Sequence, residues 1–85
     1  MPEISRFFGI IIMMFADDHN PPHFHVRYGG YRATVTIEKG IVQGRLPRKV
    51  LNRVFEWLDK HHDELIENWD LIKNGKDPLS IEPLN

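Results

Sequence analysis

An 85-residue chain that is 41% hydrophobic and 11% aromatic makes one small globular domain, with no room for a second core and too much apolar surface for disorder. Its net charge of −1 hides an uneven split: residues 1–53 carry eight Lys/Arg against four acids, and residues 54–85 carry three against eight. With no Cys, a disulfide framework, a thiolate zinc finger, an iron–sulfur centre and a Cys nucleophile are excluded.

The longest apolar run, Phe7–Ala16, has ten residues, short of the about 18 that span a membrane. Glu3, Met14 and Asp17-Asp18 are poor flanks for a signal peptide, so the expectation is a cytoplasmic protein with no membrane segment. Phe7–Phe15 is β-branched and aromatic, bounded by breakers, and reads as the first strand. Alternation leaves it apolar on both faces, with Phe8, Ile10, Ile12 and Met14 on one and Phe7, Ile11, Met13 and Phe15 on the other. Helices of this chain can cover one face; sheet curvature, a partner protein or a second copy must cover the other.

A polar loop, Asp17–Pro22, leads into His23–Tyr28, where Phe24, Val26 and Tyr28 alternate with His23, His25 and Arg27. Gly29-Gly30 is a two-residue hairpin signal, because the favoured turns need positive φ. It sets a register in which Tyr28 pairs with Tyr31, Arg27 with Arg32, His25 with Thr34 and His23 with Thr36. Tyr31–Glu38 alternates again, and Lys39-Gly40 turns the chain into a short strand, Ile41–Gln43. The first half is thus an antiparallel meander of about four strands.

Pro47 suits the start of a helix, and apolar residues recur at helical spacing from Val50 to Ile72. One straight helix of that phase would be about 40 Å long, more than this domain covers. Lys60, His61 and His62 suit a helix end, and Asp63, Glu64 and Glu67 a fresh start. The reading is two helices, or one bent near residues 60–63. Leu79–Ile81, between Pro78 and Pro83, reads as a short C-terminal edge strand. The class is α+β.

The densest chemistry lies in Asp17–His25. His23 and His25 leave the same face of a strand, and Pro21-Pro22 stiffens the loop that brings His19 and Asp18 back. Three imidazoles and a carboxylate suit Zn, Cu or Ni. The opposed pair Arg27 and Arg32, two like charges side by side, points to an anion such as phosphate. With them, His23 and His25 also fit metal-free general acid–base cleavage of a phosphodiester, a small ribonuclease. Arg48 and Lys49, with Arg45 and Arg53, form a basic cluster at the helix start. Tyr28 and Tyr31 are the rings available there to stack bases, and both fall on the core face, so the nucleic-acid signal is weak. Trp57 and Trp69 read as core anchors, and a plain reading of the His loop is a structural or protein-binding surface.

The opening Met1–Ile10, the block Asp18-His19-Asn20-Pro21-Pro22-His23-Phe24-His25, Gly44-Arg45-Leu46-Pro47, Glu64-Leu65, Asn68-Trp69 and Ile81-Glu82-Pro83-Leu84 resemble the bacterial family called domain of unknown function 4160. The resemblance covers nearly the whole chain. It implies a cytoplasmic toxin of a type II toxin–antitoxin pair, held by a cognate small antitoxin-like protein. It supplies no activity, so the residue roles rest on chemistry. Pro2 after Met1 adds one more candidate, since loss of Met1 leaves a secondary amine able to act as ligand or base.

Overall fold

The computed structural model describes residues 3–85; Pro2, the candidate N-terminal amine, lies outside them. Five strands, β1 (Glu3–Phe7), β2 (Ile10–Met13), β3 (His23–Tyr28), β4 (Tyr31–Thr36) and β5 (Val42–Gly44), form one antiparallel sheet in chain order. One helix, α1 (Arg48–Lys73), packs across one face. The α+β class and the meander are as expected; the meander has one strand more than the four expected, the C-terminal edge strand is absent, and the helical part is the single bent helix.

The extra strand comes from the apolar run expected to be a single strand over Phe7–Phe15. Phe8 and Gly9 both have positive φ, 50° and 77°, and Phe7 pairs with Ile10 across them. Two such residues in succession make the tight hairpin whose twist matches the flanking strands. The sequence hides it because a Phe stands where Asn, Asp or Gly normally announces the turn. The consequence is that the strand apolar on both faces shrinks to β2, with Ile10 and Ile12 inward and Ile11 and Met13 outward. Phe7, Ile10, Ile12 and Met14 are buried, while Phe8 sits 52% exposed at the hairpin tip. The outward apolar surface is limited to Ile11, partly buried, and Met13, buried.

The β3–β4 register is the one set by Gly29-Gly30: Tyr28 opposite Tyr31, Arg27 opposite Arg32, His25 opposite Thr34 and His23 opposite Thr36. Side chains of opposed residues share a face, so Phe24, Val26, Ala33 and Val35 point into the core and are buried. Tyr31, expected in the core, is 43% exposed, because its row ends the sheet at the hairpin mouth. Gly44 closes β5 at φ 106°, and a Cβ there would stand 2.5 Å from the Arg32 carbonyl oxygen; only glycine fits.

α1 is one bent helix. It runs through His61, whose φ of −123° and ψ of 22° are not helical. His61-His62 therefore mark the bend and end nothing. The bend lets the helix keep Trp57 and Leu58 before it, and Leu65 and Trp69 after it, on the core. Trp57 is fully buried, its ring centre 5.4 Å from that of Phe7 and 5.7 Å from that of Phe24. Its Nε1–H donates to the Glu82 carbonyl at 2.8 Å. Asn68 fixes the same tail by donating to the Leu79 carbonyl (2.8 Å) and accepting from the Leu79 N–H (2.9 Å). The expected edge strand Leu79–Ile81 does not form; a single bond from Ile81 N–H to the Ile4 carbonyl, 2.8 Å, ties the tail to β1. No described helix is long and apolar enough to cross a membrane.

Candidate functional site

The face of the sheet away from the Trp57 core carries the polar residues of β3 and β4 in three rows, the outermost being His23 and Thr36. One runs Arg6, Ile11, Arg27, Arg32, and the next Met13, His25, Thr34, Gln43. Arg6 is engaged by Glu3 at 2.8 Å. That hydrogen bond holds the Glu3 carboxyl below its ordinary value and raises the Arg6 guanidinium. Arg27 and Arg32 face each other with no carboxylate in ion-pair range among the described residues. They line a cleft with Met13, Phe15 and His25. A second cleft continues past the loop, lined by Asp18, His19, His23, Thr34, Thr36 and Gln43 among others.

His25 lines the first of these clefts, and Asp18 and His23 line the second. One carboxylate oxygen, Asp18 Oδ2, stands 2.9 Å from His25 Nε2 and 3.3 Å from His23 Nε2. The three ligand atoms fall within 4.8 Å of one another, each residue partly buried. The polypeptide arranges this simply. Strand alternation aims both imidazoles one way, and the loop, with a cis Asn20–Pro21 bond, returns Asp18 over them.

His23 has its tautomer imposed. Its Nδ1 is 2.9 Å from the Pro21 carbonyl oxygen, which can only accept, so Nδ1 carries a hydrogen. In the neutral ring Nε2 is then a bare lone pair, and it faces a carboxylate oxygen, a second acceptor. Such a contact is favourable only with a metal ion or a proton between the two groups. An imidazole whose outer N–H is tied to a backbone carbonyl is the usual support for a metal-bound His. Tetrahedral Zn–ligand bonds of about 2.0–2.1 Å put neighbouring ligand atoms about 3.3 Å apart, the spacing of His23 Nε2 and Asp18 Oδ2, whereas His25 Nε2 and Asp18 Oδ2 stand at the 2.9 Å of a direct hydrogen bond. Two His and one Asp would leave a fourth position open.

His19, expected as the third imidazole, is exposed on the wall of the second cleft, and its nitrogens are not part of the clustered ligand set. The loop folds Asp18 inward and turns the next side chain out. Arg48 and Lys49 lie exposed in the first turn of α1 and line neither cleft. Three supports of the site escaped the sequence reading. Phe15 packs edge-on against His25 with ring centres 4.7 Å apart. Trp69, read only as a core anchor, also lies 5.4 Å from the His23 ring. Lys73 reaches the loop backbone at Asp18 and Ala16. An isolated Lys at the end of a helix reads as a helix stop, and nothing local tells that it reaches across the chain.

The family model described as Domain of unknown function (DUF4160) matches residues 9–70. Curated proteins and solved structures gave no match. The matched span runs from the first hairpin to the helix after its bend, and includes Asp18, His23, His25, Arg27 and Arg32. The chain belongs to the domain of unknown function 4160 family.

Proposed function

We propose that Asp18, His23 and His25 hold one transition-metal ion, Zn, Cu or Ni, and that this centre is the working part of a toxin paired with a small antitoxin-like protein. What carries the metal reading is the lone pair of His23 Nε2, aimed at Asp18 Oδ2 while Nδ1–H is tied to Pro21. The toxin reading comes from the family resemblance. A bound ion with an open fourth position would polarise an anionic or carbonyl substrate or acidify a water. His19, Thr34, Thr36 and Gln43 line the space beside it, and Arg27 and Arg32 flank it on the His25 side.

The test is metal analysis of purified protein stripped with chelator and reloaded. Wild type is expected to take up about one Zn, Cu or Ni per chain, more weakly below about pH 6, where protons compete for imidazole. A His23→Ala/His25→Ala double variant should take up none. Absence of binding by wild type at micromolar metal would end this reading.

A second reading is favoured by one observation, the Arg27–Arg32 pair next to His25, with no acidic partner among the described residues. In a metal-free ribonuclease, one His takes the proton of an RNA 2′-hydroxyl as it attacks the adjacent phosphate. The other His gives a proton to the departing 5′-oxygen, Asp18 orients the imidazoles, and the two Arg hold the phosphate. RNA cleavage that persists in chelator supports this reading over the metal one.

A further inference from the structure

Phe8 stands where turn chemistry calls for Asn, Asp or Gly. It is the first of two residues at positive φ, 50°, a conformation that is unusual for a bulky side chain. Its ring is also 52% exposed. Neither the turn nor the core accounts for a Phe at this position. The guanidinium carbon of Arg53 lies over the ring, 3.9 Å from its centre. Gly9, next in the turn, stands against the Tyr28 ring. Tyr28 and Tyr31 are stacked with centres 6.5 Å apart and planes 28° from parallel, and Tyr31 is 43% exposed.

These rings share one end of the molecule. In a meander both the Phe8-Gly9 and Gly29-Gly30 tips lie where β1 and β3 finish, and β5 runs the same way before α1 begins. Arg45, Arg48, Lys49 and Arg53 enter there, all exposed. None has a carboxylate in ion-pair range among the described residues. The sequence places no acid between Glu38 and Glu56. Exposed ring faces beside unpaired cations match a ligand with flat apolar faces on a polyanionic backbone.

We propose that this end of the sheet docks single-stranded nucleic acid, with Phe8 and Tyr31 stacking bases and Arg45, Arg48, Lys49 and Arg53 contacting phosphates. A duplex hides its base faces, and an acidic peptide would satisfy the cations without needing the rings; a single strand uses both. The platform is independent of the metal centre. Tyr28 and His23 are five residues apart on β3, about 17 Å, and the platform's rings lie on the opposite face from the His pair.

The probe is fluorescein-labelled oligouridine of about 12 nucleotides, followed by anisotropy from low salt upward. Wild type is expected to bind, with log affinity falling against log salt at a slope of about −3, as four phosphate contacts to a single strand give. Phe8→Asn relieves the turn, so its melting temperature should hold or rise while oligouridine affinity drops about 5- to 150-fold. Tyr31→Ser should lose affinity in the same range, and Lys49→Ala should flatten the salt slope by about 0.7. Protein stripped with chelator should bind oligouridine as untreated protein does. Failure of wild type to bind at about 50 mM salt overturns the proposal. So does wild-type affinity in both Phe8→Asn and Tyr31→Ser, which would leave only a charged surface. Loss of a co-purifying protein from Phe8→Asn, with oligouridine binding intact, also overturns it and gives the patch to a protein partner.

Discussion

The ammonium of Lys73 donates a hydrogen bond to the backbone carbonyl of Asp18, 55 residues away in the chain. A second bond runs from the same nitrogen to the Ala16 carbonyl at 3.2 Å. The ammonium also lies 4.8 Å from the centre of the Trp69 ring, which in turn sits 5.4 Å from His23. The last turn of α1 therefore clamps both sides of the Asp18/His23/His25 cluster. Lys73→Met keeps the stem and removes the donors. The expected result is a roughly 10- to 100-fold loss of metal affinity in a chelator competition, the size typical of an outer-shell support, with little change in melting temperature. Unchanged affinity would mean that the loop holds Asp18 unaided.

Ser5 presents the reverse situation. Its Oγ is buried and has no hydrogen-bond partner among the described residues, beside Ile12 in the inward row of the sheet. A buried hydroxyl without a partner costs about 1–3 kcal/mol. Ser5→Ala should therefore raise the unfolding free energy by about 1 kcal/mol once the small loss of packing is offset, seen as a higher urea midpoint with an unchanged m value. A lower midpoint would mean that the hydroxyl is satisfied in solution.

Asn68 is buried and closes two bonds with the backbone of Leu79. Asn68→Ala strands both Leu79 groups and should cost about 2–3 kcal/mol in urea unfolding. Because Trp57 and Ile4 hold the same tail through Glu82 and Ile81, loosening should begin there. Limited proteolysis should cut the variant first after residue 76; a first cut in the sheet would contradict the role given to Asn68.

Asn68 also shows what a sequence withholds. Leu79–Ile81 has the composition of an edge strand, but its partner is a side-chain amide 11 residues earlier that no alternation pattern reveals. The β3–β4 register was legible to the residue, because Gly29-Gly30 leaves one pairing that keeps Phe24 and Val26 inside. The Phe8-Gly9 turn was not, because its first residue contradicts the turn it makes. At the site, alternation alone places His23 and His25 together, and the loop composition brings Asp18 near. Which of Asp18 and His19 points inward depends on loop dihedrals, and the clamp from Lys73 depends on where a bent helix ends. Neither is a local property of the sequence.

The site geometry and the family resemblance together bear on growth. Expression of the chain alone in bacteria should slow growth, and co-expression of the antitoxin-like partner should restore it. His23→Ala and His25→Ala should each relieve the effect while the protein stays folded. Both side chains leave the sheet on the face away from Trp57 and are only partly buried, so truncation opens no core cavity of the kind that costs several kcal/mol. Asp18→Asn should act in the same direction, since the amide no longer supplies a charged oxygen to the two Nε2 atoms. Arg27→Ala and Arg32→Ala discriminate between readings. Relief by both indicates an anionic target held across the sheet face, whereas full toxicity in both confines the function to the metal cluster. Circular dichroism and melting temperature of each purified variant separate lost chemistry from lost fold. Stable His23→Ala and His25→Ala proteins that slow growth as wild type does would remove the functional role from Asp18, His23 and His25 together.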